Sequence, residues 1–520
     1  MSKDIIIGID AGTSVMKSVA FDLSGRQIEL AARPNSYDSG PDSAVTQPMM
    51  RTWKDCTATL RDLGQKIPDL AVRTLAIAVT GQGDGTWLID GQNQPVGDAW
   101  LWLDGRAGAL AERLRREAGD RGRYLATGTG LNACQQGMQL AFMKEHKPEQ
   151  LAGAARALHC KDWLYLNLTG ACVSDPSEAC FTYGDFRTRH LNEEVISFLG
   201  LERHRDLIPE ICDGSVETHT LSQWAAEQTG LLSGTPVSLG FVDIVCTILG
   251  GGGYLPGQDT GCTIVGTTGV HIQCKAVKDV SLNPDERTGY TMAMPVAGMV
   301  AQLQTNMAGT LNIDWVLGLA RDVCRAMGRE EQDATFLAQI ETWMESTTPG
   351  SILFHPYISE AGERGPFIDH TARASFVGLS TAHGFADLVR GAIEGLSMAS
   401  RDCYLAMGAL PSKVTLTGGA ARSDALRRTL AASLGASVCQ CSRAEAGAAG
   451  AAMMAAVANG VFDSMKACVD DWVGPYLSAP EAPDADLGEK YSRLYEDYVA
   501  SRDALRPTWA SMASLKGAEV

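Results

Sequence analysis

Apolar and polar residues alternate along the start of the chain, where they indicate strands. In residues 5–22, IIIGIDAGTSVMKSVAFD, Val19 and Phe21 fall on one face and Ser18 and Asp22 on the other. A period of two predicts a β-strand rather than a helix. The turn sequence DLSGR and the segment QIELAARP follow directly, so we expect a strand, a Gly-Thr turn and two further strands.

The same hairpin pattern recurs in the second half of the chain. Residues 259–276, DTGCTIVGTTGVHIQCKA, again contain an apolar strand, a Gly-Thr turn and alternating apolar positions, here Val270 and Ile272. The threonines of the two turns, Thr13 and Thr267, lie 254 residues apart in a chain of 520. A chain of this length exceeds what one hydrophobic core normally supports, so we predict two domains with one such hairpin in each.

Periodicity along the rest of the chain predicts alternating helices and strands. Helices are expected over 52–65, 108–117, 139–144, 152–168 (with interruptions), 313–327, 385–405, 424–434 and 489–505, and strands over 75–80, 235–239 and 413–417. Alternation of this kind predicts an α/β fold. We expect a first domain over 1–253, a second over 254–480, a C-terminal linker and helix over 481–520, and a ligand cleft between the two domains.

Composition narrows the classes of partner. The formal charge is -17 at pH 7, which disfavours nucleic acid and acidic membrane surfaces because both are bound through clustered Lys and Arg. The 14 cysteines are scattered, and the one close pair, Cys439 and Cys441, lacks the spacing of a zinc site. No stretch resembles a signal peptide or a membrane span, so we expect a cytoplasmic protein with reduced thiols.

The N-terminal turn has the residue types of a phosphate site. Its sequence GTSVMKS resembles a P-loop in ending with Lys-Ser, but it lacks the second glycine and continues as a strand, and a Rossmann fingerprint would also need a helix there. The remaining interpretation is a β-hairpin whose turn N–H groups and Thr13 and Ser14 hydroxyls face a phosphate. Lys17, otherwise a solvated charge on a strand, would then be a nearby cation.

Asp243 is the one acid in the apolar stretch LGFVDIVCTILGGGG, residues 239–253, where a strand meets a helix. A carboxylate among Val, Ile, Cys and Leu needs a partner or a function, because burying its charge is costly. It is either the N-cap of the helix or a general base at the cleft. The glycines that follow it are interpreted as a helix stop.

Paired glycines, Gly418 and Gly419, stand between an apolar strand and a predicted helix. Such a turn lets a ligand approach the backbone, and the N-terminus of the following helix favours negative charge. The alternative interpretation is an ordinary tight turn between a strand and a helix.

Two polar segments in the first half are candidates for binding hydroxyl groups. VTGQGDGTWLIDG, residues 79–91, offers Gln82 and Asp84 between glycines, and WLWLDGR, residues 100–106, offers Trp102. Gln and Asp can hydrogen-bond several hydroxyls while an aromatic ring covers the C–H face of the ligand. The alternative is a loop tip with incidental polar residues.

In this order the motifs resemble those of the FGGY carbohydrate kinases, of the actin, hexokinase and Hsp70 superfamily. The matching features extend over nearly the whole chain: Asp10-x-Gly12-Thr13-Ser14, Asp243, Gly266-Thr267, Gly418-Gly419, KDWLYLNLTG with SDPSEA (161–179), GERGP (362–366), FVGLS with ADLVRGAIEG (376–395) and EAGAAGAA (445–452). Two departures, Gly391 for the usual Ala or Ser and Gln139 for the usual Lys, are expected to be structural. The resemblance implies two actin-like, ribonuclease H-like domains with a nucleotide cleft between them.

The resemblance also implies ATP and Mg²⁺ as cofactors and assigns roles to the candidate residues. The ATP contacts would come from Thr13, Ser14, Lys17, Gly266, Thr267, Gly418, Gly419 and Ser423. The metal would lie at Asp10 and Asp243, and Asp243 would also deprotonate the attacking hydroxyl. Gln82, Asp84 and Trp102 would hold the rest of the substrate. Dimers or tetramers are common in the family, so a homodimer is a further expectation.

The substrate region is most similar to the branch that holds L-xylulose-type kinases and bacterial erythritol kinases. Glycerol kinases carry Arg-Glu where this chain has Gly83-Asp84, and D-xylulose kinases carry Met-His there and Asn where this chain has Ile244. An L-xylulose-type kinase would have Lys in place of Asp84. Because a carboxylate accepts hydrogen bonds from hydroxyls, Asp84 favours a neutral polyol. We predict erythritol or a close four- or five-carbon polyol, with L-xylulose, D-xylulose or another pentulose or pentitol as the alternative.

Two further hypotheses assign the chain to other classes of protein that also contain the Gly-Thr turns. One is an ATP-dependent assembly protein, either an actin-like filament former or an Hsp70-like clamp, which would not need Asp243 or the polar substrate loop. The other is a kinase-like sensor that binds a sugar without turnover, and the intact set of Asp10, Thr13 and Asp243 argues against it.

Overall fold

Two six-stranded sheets form the framework of the chain, and the computed structural model describes residues 3–329 and 332–517. The first sheet contains β1 (Ile5–Ala11), β2 (Val15–Asp22), β3 (Gln27–Pro34), β4 (Thr74–Gly81), β5 (His219–Thr220) and β6 (Pro236–Leu239). The second contains β7 (Thr260–Val265), β8 (Gly269–Ala276), β9 (Tyr290–Ala293), β10 (Met299–Asn306), β11 (Lys413–Thr417) and β12 (Ser437–Gln440). Shorter strands pair outside these sheets, at Asp38–Ser39, Val45–Gln47, Trp87–Ile89, Ala99–Trp100, Arg156–Leu158, Val173–Ser174, Gly184–Asp185, His190–Leu191, Glu210–Ile211, Leu353–His355 and Ser375–Val377.

Five strands of each sheet share one topology. The strand orders of the two sheets are β5-β6-β4-β1-β2-β3 and β9-β10-β8-β7-β11-β12. In the first sheet the antiparallel neighbours β1, β2 and β3 are followed along the chain by the parallel strands β4 and β6. In the second sheet the antiparallel neighbours β7, β8 and β10 are followed by the parallel strands β11 and β12. The repeat inferred from the two Gly-Thr hairpins is therefore confirmed as a repeat of five strands, while the sixth strand lies beside β6 in the first sheet and beside β10 in the second.

Helices cover both sheets. In the first half they are α1 (Met49–Lys66), α2 (Leu70–Arg73), α3 (Gly108–Arg115), α4 (Asp120–Thr127), α5 (Gln136–His146), α6 (Pro148–Ala152), α7 (Cys160–Thr169), α8 (Pro176–Tyr183), α9 (Glu193–Phe198), α10 (Gln223–Thr229) and α11 (Asp243–Gly250). In the second half they are α12 (Leu311–Ala326), α13 (Asp333–Leu337), α14 (Ile340–Ser346), α15 (Phe385–Ala406), α16 (Asp424–Leu434), α17 (Ala446–Ala458), α18 (Met465–Trp472) and α19 (Ala485–Gly517). Over the described ranges none of them is long and apolar enough to cross a bilayer.

The strand β2 is buried on both of its faces, which its alternating sequence does not suggest. Val19 and Phe21 lie in a core shared with α11 and α17, whereas Met16 and Ala20 lie in a core shared with α1. Ser18, on the second face, is buried and lies 2.8 Å from the Thr59 hydroxyl of α1. The alternation of apolar and polar residues therefore predicted the strand correctly, but one polar residue lies inside the protein.

The helix α17 joins the two halves of the molecule. It follows the second sheet in the chain, yet it packs on β1 and β4 of the first sheet and crosses α11. A side chain at Gly8 would collide with the carbonyl of Ala448, and one at Gly450 would collide with the carbonyl of Cys246. Small residues at these positions are thus what allows the backbones to meet, and they hold Glu445, at the start of α17, close to the first hairpin.

Most of the predicted elements are confirmed, and β11 and α16 have the predicted bounds. The helix predicted over 152–168 is wrong in its first part, because the strand Arg156–Leu158 separates α6 from α7 and pairs with Trp87–Ile89. The last helix begins at residue 485, inside the predicted linker, since the Asp484 carboxylate accepts a hydrogen bond from the Leu487 backbone N–H and caps it. The domain limits at 253 and 480 stay predictions.

Candidate active site

Asp10, on β1, lies beside a cross-domain ion pair. It is opposite Lys17 in the register of the first hairpin, and the Lys17 ammonium contacts the Glu445 carboxylate at 2.8 Å. A Cβ atom at Gly447 would lie 2.8 Å from an Asp10 carboxylate oxygen, so the backbone of α17 packs directly on this acid. Burial raises the pKa of Asp10 to about 6, an effect that Lys17 opposes and Glu445 increases.

Asp243 is the first residue of α11, and the residue before it, Val242, occupies the N-cap position. The N-cap interpretation of Asp243 is therefore wrong. Its carboxylate is half-buried, and burial raises its pKa to about 7, with a further increase from the nearby Asp10 carboxylate. The Ile244 backbone N–H and the Lys161 ammonium oppose that increase. A carboxylate with such a pKa is a stronger base than an ordinary aspartate.

The carboxylates of Asp10 and Asp243 fit a magnesium ion. The Asp10 charge raises the pKa of Asp243, and a cation at the pair would relieve this repulsion. Mg²⁺ is commonly held by one or two carboxylates together with phosphates and water, so it does not need a larger cage of protein ligands. No group of three or more His, Cys, Asp or Glu side chains suited to a metal occurs among residues 3–329 and 332–517.

Thr13 connects the first turn to the predicted substrate residues. Its hydroxyl donates a hydrogen bond to Gln82 Oε1 at 3.2 Å and accepts one from Trp102 Nε1 at 2.8 Å. Gln82 is buried and donates in turn to Gln47 Oε1 at 2.9 Å. The Trp102 side chain stays 41% exposed, so its ring can still cover a ligand. Ser14 lies exposed at the tip of the same turn.

Asp84 sits in a left-handed backbone conformation, with φ of 54°, between two glycines. Its Oδ2 atom accepts hydrogen bonds from the Tyr290 hydroxyl and the Cys134 thiol, both at 3.3 Å. Its Oδ1 atom is buried and accepts no hydrogen bond from the part of the chain that the structure describes. Burial raises the pKa of Asp84, and the hydrogen bonds from Cys134 and Tyr290 oppose the increase.

A buried network of charges lies under Asp84. The Lys161 ammonium, fully buried, contacts Asp162 at 2.9 Å and Asp175 at 2.6 Å. His159 Nδ1 lies 2.9 Å from Asp162, and its Nε2 lies 3.0 Å from Glu178. Burial disfavours a charged His159, but the Glu178 and Asp162 carboxylates outweigh burial and raise its pKa. The network therefore sets two basic groups against three carboxyl groups, and burial raises the pKa of one of these, Glu178, to about 8.

The start of α8 connects this network to the loops that carry Asp84 and Asp243. Asp175 caps α8, and the Ser177 hydroxyl accepts a hydrogen bond of 3.0 Å from the Val242 backbone N–H, next to Asp243. Both Glu178 oxygens accept from the Asp84 backbone N–H at 3.3 Å. In the sequence, KDWLYLNLTG and SDPSEA match the family, and the charged residues among their apolar ones are the signal that indicates a buried network.

The second turn is tied to the start of α12. The Gly309 N–H donates to the Thr267 carbonyl at 2.7 Å, and the Thr310 N–H donates to the Gly266 carbonyl at 2.8 Å. Thr267 and its neighbour Thr268 are exposed. The turn thus presents an exposed hydroxyl near a helix N-terminus, which is a favourable place for a phosphate.

The paired glycines lie at the end of β11, next to β7. Gly418 has a φ of +91°, and a Cβ atom there would lie 2.6 Å from the Val265 carbonyl oxygen, so a glycine is required. Gly419 faces open space. The Ser423 hydroxyl accepts a hydrogen bond of 3.3 Å from the Leu426 N–H and caps α16, so it has a structural task besides the predicted contact with ATP.

Comparisons with known proteins agree with this architecture. Residues 5–250 match the N-terminal domain and residues 261–459 the C-terminal domain of the FGGY family of carbohydrate kinases. The chain is 55% identical to the erythritol kinase of Brucella abortus (strain 2308), over 99% of this chain and 98% of that protein. It is 26% identical to the xylulose kinase of Bacillus subtilis (strain 168), over 95% of each.

A solved structure has the same fold. The xylulose kinase of Rhodospirillum rubrum superposes with a TM-score of 0.87 at 23% identity, covering 97% of this chain and 100% of that one. This similarity confirms the predicted α/β architecture of two domains.

Proposed function

Because this chain belongs to the FGGY family of carbohydrate kinases, we propose that it transfers the γ-phosphoryl group of ATP to a terminal hydroxyl of erythritol. The observation that carries the choice of substrate is the 55% identity to an erythritol kinase over nearly the full length of both chains. The site agrees with it, since Asp84 offers a buried carboxylate oxygen that accepts from hydroxyl donors.

Asp243 acts as the general base. Its carboxylate lies half-buried at the start of α11, where it would accept the proton of the attacking hydroxyl as the oxygen approaches the phosphorus. Phosphoryl transfer otherwise requires mostly alignment and stabilisation of charge. The Ser177 and Val242 contact fixes the backbone beside Asp243 and thereby helps to align the base.

Asp10 and Asp243 hold Mg²⁺, which neutralises phosphate charge when it is bound. Lys17 adds a positive charge on the same side of the first hairpin, and its ion pair with Glu445 keeps it in place between the two halves of the molecule. The magnesium requirement is tested by adding EDTA, which should abolish turnover, and by restoring activity with excess Mg²⁺.

The two turns bind the phosphates of ATP. Thr13 and Ser14 contact the phosphates from the first domain, and Gly266 and Thr267 contact them from the second. There the start of α12 adds a favourable backbone dipole. The adenosine lies toward Gly418, Gly419 and Ser423. Because the phosphates lie between the two domains, their binding favours a closed cleft, which keeps water from the γ-phosphoryl group.

Gln82, Asp84 and Trp102 hold the polyol. The Trp102 ring covers C–H groups, and the polar atoms of the other two residues meet its hydroxyls. The hydrogen bonds that Thr13 makes to Gln82 and Trp102 couple this pocket to the first phosphate turn. The cytoplasmic location and the homodimer expected from the sequence stay predictions.

The test is ADP release by the purified protein with ATP, Mg²⁺ and a panel of acceptors: erythritol, glycerol, ribitol, D-xylulose, L-xylulose, D-ribulose and gluconate. We expect erythritol to lead in kcat/KM by about an order of magnitude, the discrimination that a few hydrogen bonds supply. A leading ketopentose would overturn the choice of erythritol and favour the pentulose alternative. Release of ADP that no acceptor stimulates would favour a sensor or an assembly protein.

A further inference from the structure

The strand β9 of the second sheet is fastened to the first half of the chain. The Thr291 N–H donates to the Thr129 hydroxyl at 3.1 Å, and the Thr291 hydroxyl donates to the Gly128 carbonyl at 2.8 Å. One residue before the strand, the Gly289 carbonyl accepts from the Gly130 N–H at 2.8 Å. The residue between these contacts, Tyr290, is therefore held against the substrate side of the first domain.

The Tyr290 side chain ends at Asp84. Its ring meets Phe181 edge-on, with centroids 5.4 Å apart, and its hydroxyl donates to Asp84 Oδ2 at 3.3 Å. That hydroxyl also accepts a hydrogen bond of 3.1 Å from Asn132 Nδ2. Burial, together with the Asp84 charge, keeps the pKa of Tyr290 well above its ordinary value. The phenol thus keeps its proton and donates it to the carboxylate.

The two oxygens of Asp84 are consequently not equivalent. Tyr290 and Cys134 both donate to Oδ2, whereas Oδ1 is buried without a partner among the described residues. A buried acceptor without a donor is costly, and a ligand hydroxyl would satisfy it. The donors on Oδ2 fix the rotation of the carboxylate, and this rotation decides where Oδ1 points.

We propose that Tyr290 is a positioning residue for substrate selectivity, which holds Asp84 through Oδ2 so that Oδ1 receives a hydroxyl of the acceptor. This inference rests on the proposed role of Asp84 in binding the substrate, and it gives the second domain a part in choosing the acceptor. Tyr290 acts through Asp84 and does not itself contact the reacting atoms.

The test compares Tyr290→Phe with the wild-type enzyme, using the acceptor that leads the panel for the wild type. Phe keeps the ring beside Phe181 and removes the hydroxyl, which donates to Asp84 and accepts from Asn132. We expect the KM of the acceptor to rise about tenfold, because a hydrogen bond to a charged group is lost, while kcat and the KM of ATP change less than about twofold. An unchanged acceptor KM would overturn the proposal, as would an equal rise in the KM of ATP.

Tyr124→Phe is the matched control. Tyr124 is also buried, and its hydroxyl also crosses between the two halves, to the Thr288 carbonyl at 3.4 Å, without contacting Asp84. We expect this variant to keep the wild-type acceptor KM. If both variants raised it equally, loss of a general interdomain contact would explain the effect and the proposal would fail.

A double variant separates positioning from a direct contact with the acceptor. If Tyr290 acts through Asp84, adding Tyr290→Phe to Asp84→Ala, which leaves no oxygen for Tyr290 to hold, should raise the acceptor KM little beyond that of Asp84→Ala alone. Effects that multiply would contradict the proposal. Because the experiment uses whichever acceptor the wild type prefers, it remains decisive if erythritol is not that acceptor.

Discussion

The two Gly-Thr hairpins have the same topology but different surroundings. In the first, the Thr13 hydroxyl is bound between Gln82 and Trp102, so the turn contacts two residues of the proposed substrate pocket. In the second, Thr267 is exposed and its backbone carbonyl is held by the start of α12. A repeated motif therefore predicts a repeated backbone, whereas the function of each copy depends on the residues that surround it.

The supports behind the two turns also differ in charge. Gln47 and Gln82, which are neutral amides, lie behind the first turn. Behind the second, the buried Glu363 carboxylate accepts a hydrogen bond of 2.9 Å from the Met307 N–H, two residues before Gly309. Only the second support is ionisable, and burial raises the pKa of Glu363 to about 7. The support of the second turn should therefore depend on pH through Glu363.

The largest expected effect is the loss of turnover when the proposed base in the first half, Asp243, is substituted. Asp243→Asn should lower kcat by at least about 10²-fold, the range of a positioned general base, and leave ATP binding nearly unchanged. Steady-state kinetics and calorimetric titration of ATP measure the two quantities. Asp486→Asn, an exposed acid in the first turn of α19, is the control and should keep the wild-type kcat. Near-normal turnover by the Asp243 variant would remove it from the mechanism.

Substituting the two threonines tests the comparison itself. Thr13→Val should raise both the polyol KM and the ATP KM, each by about tenfold, because it removes the partner of Gln82 and Trp102 as well as a phosphate contact. Thr267→Val should raise the ATP KM alone. The two variants are matched in chemistry and in position within the repeat. An identical pattern of KM changes in both would show that the turns are functionally equivalent.

Adjacent glycines provide a test of stability in the second half. Gly418→Ala should lower the free energy of unfolding by about 1–3 kcal/mol, because alanine is strained at positive φ and its Cβ would approach the Val265 carbonyl. Gly419→Ala, which faces open space, should change it by less than about 0.5 kcal/mol. Urea unfolding of both variants measures the difference. Equal destabilisation would argue against the described turn geometry.

A second expected effect on stability, of similar size, concerns pH and Glu363. Its pKa is about 7 in the folded protein and 4.5 as its reference value, so its contribution to stability is lost as pH rises between these values. Glu363→Gln removes this loss. The free energy of unfolding of the variant minus that of the wild type should therefore be about 1–3 kcal/mol larger at pH 8 than at pH 5. Urea unfolding at both pH values provides the measurement, and a parallel pH dependence of variant and wild type would refute the assignment.

Local patterns along the sequence predicted the hairpins, the α/β fold and the placement of Asp243 between a strand and a helix. They did not predict partners that are distant in the chain. Lys17 meets Glu445 across 428 residues and Asp84 meets Tyr290 across 206, and neither contact leaves a trace in periodicity. The charges of His159, Lys161 and Glu178 were visible, but their mutual neutralisation depends on tertiary packing.

The most direct test of the central claim, that an acceptor polyol is selected at Asp84, is the ratio of kcat/KM for erythritol to that for D-xylulose in the wild type and in Asp84→Ala. We predict a wild-type ratio of at least about 10 that falls toward 1 in the variant, with an unchanged ATP KM, because a hydrogen bond to the carboxylate is lost. A wild type that prefers D-xylulose, or a variant that keeps the preference for erythritol, would contradict the account.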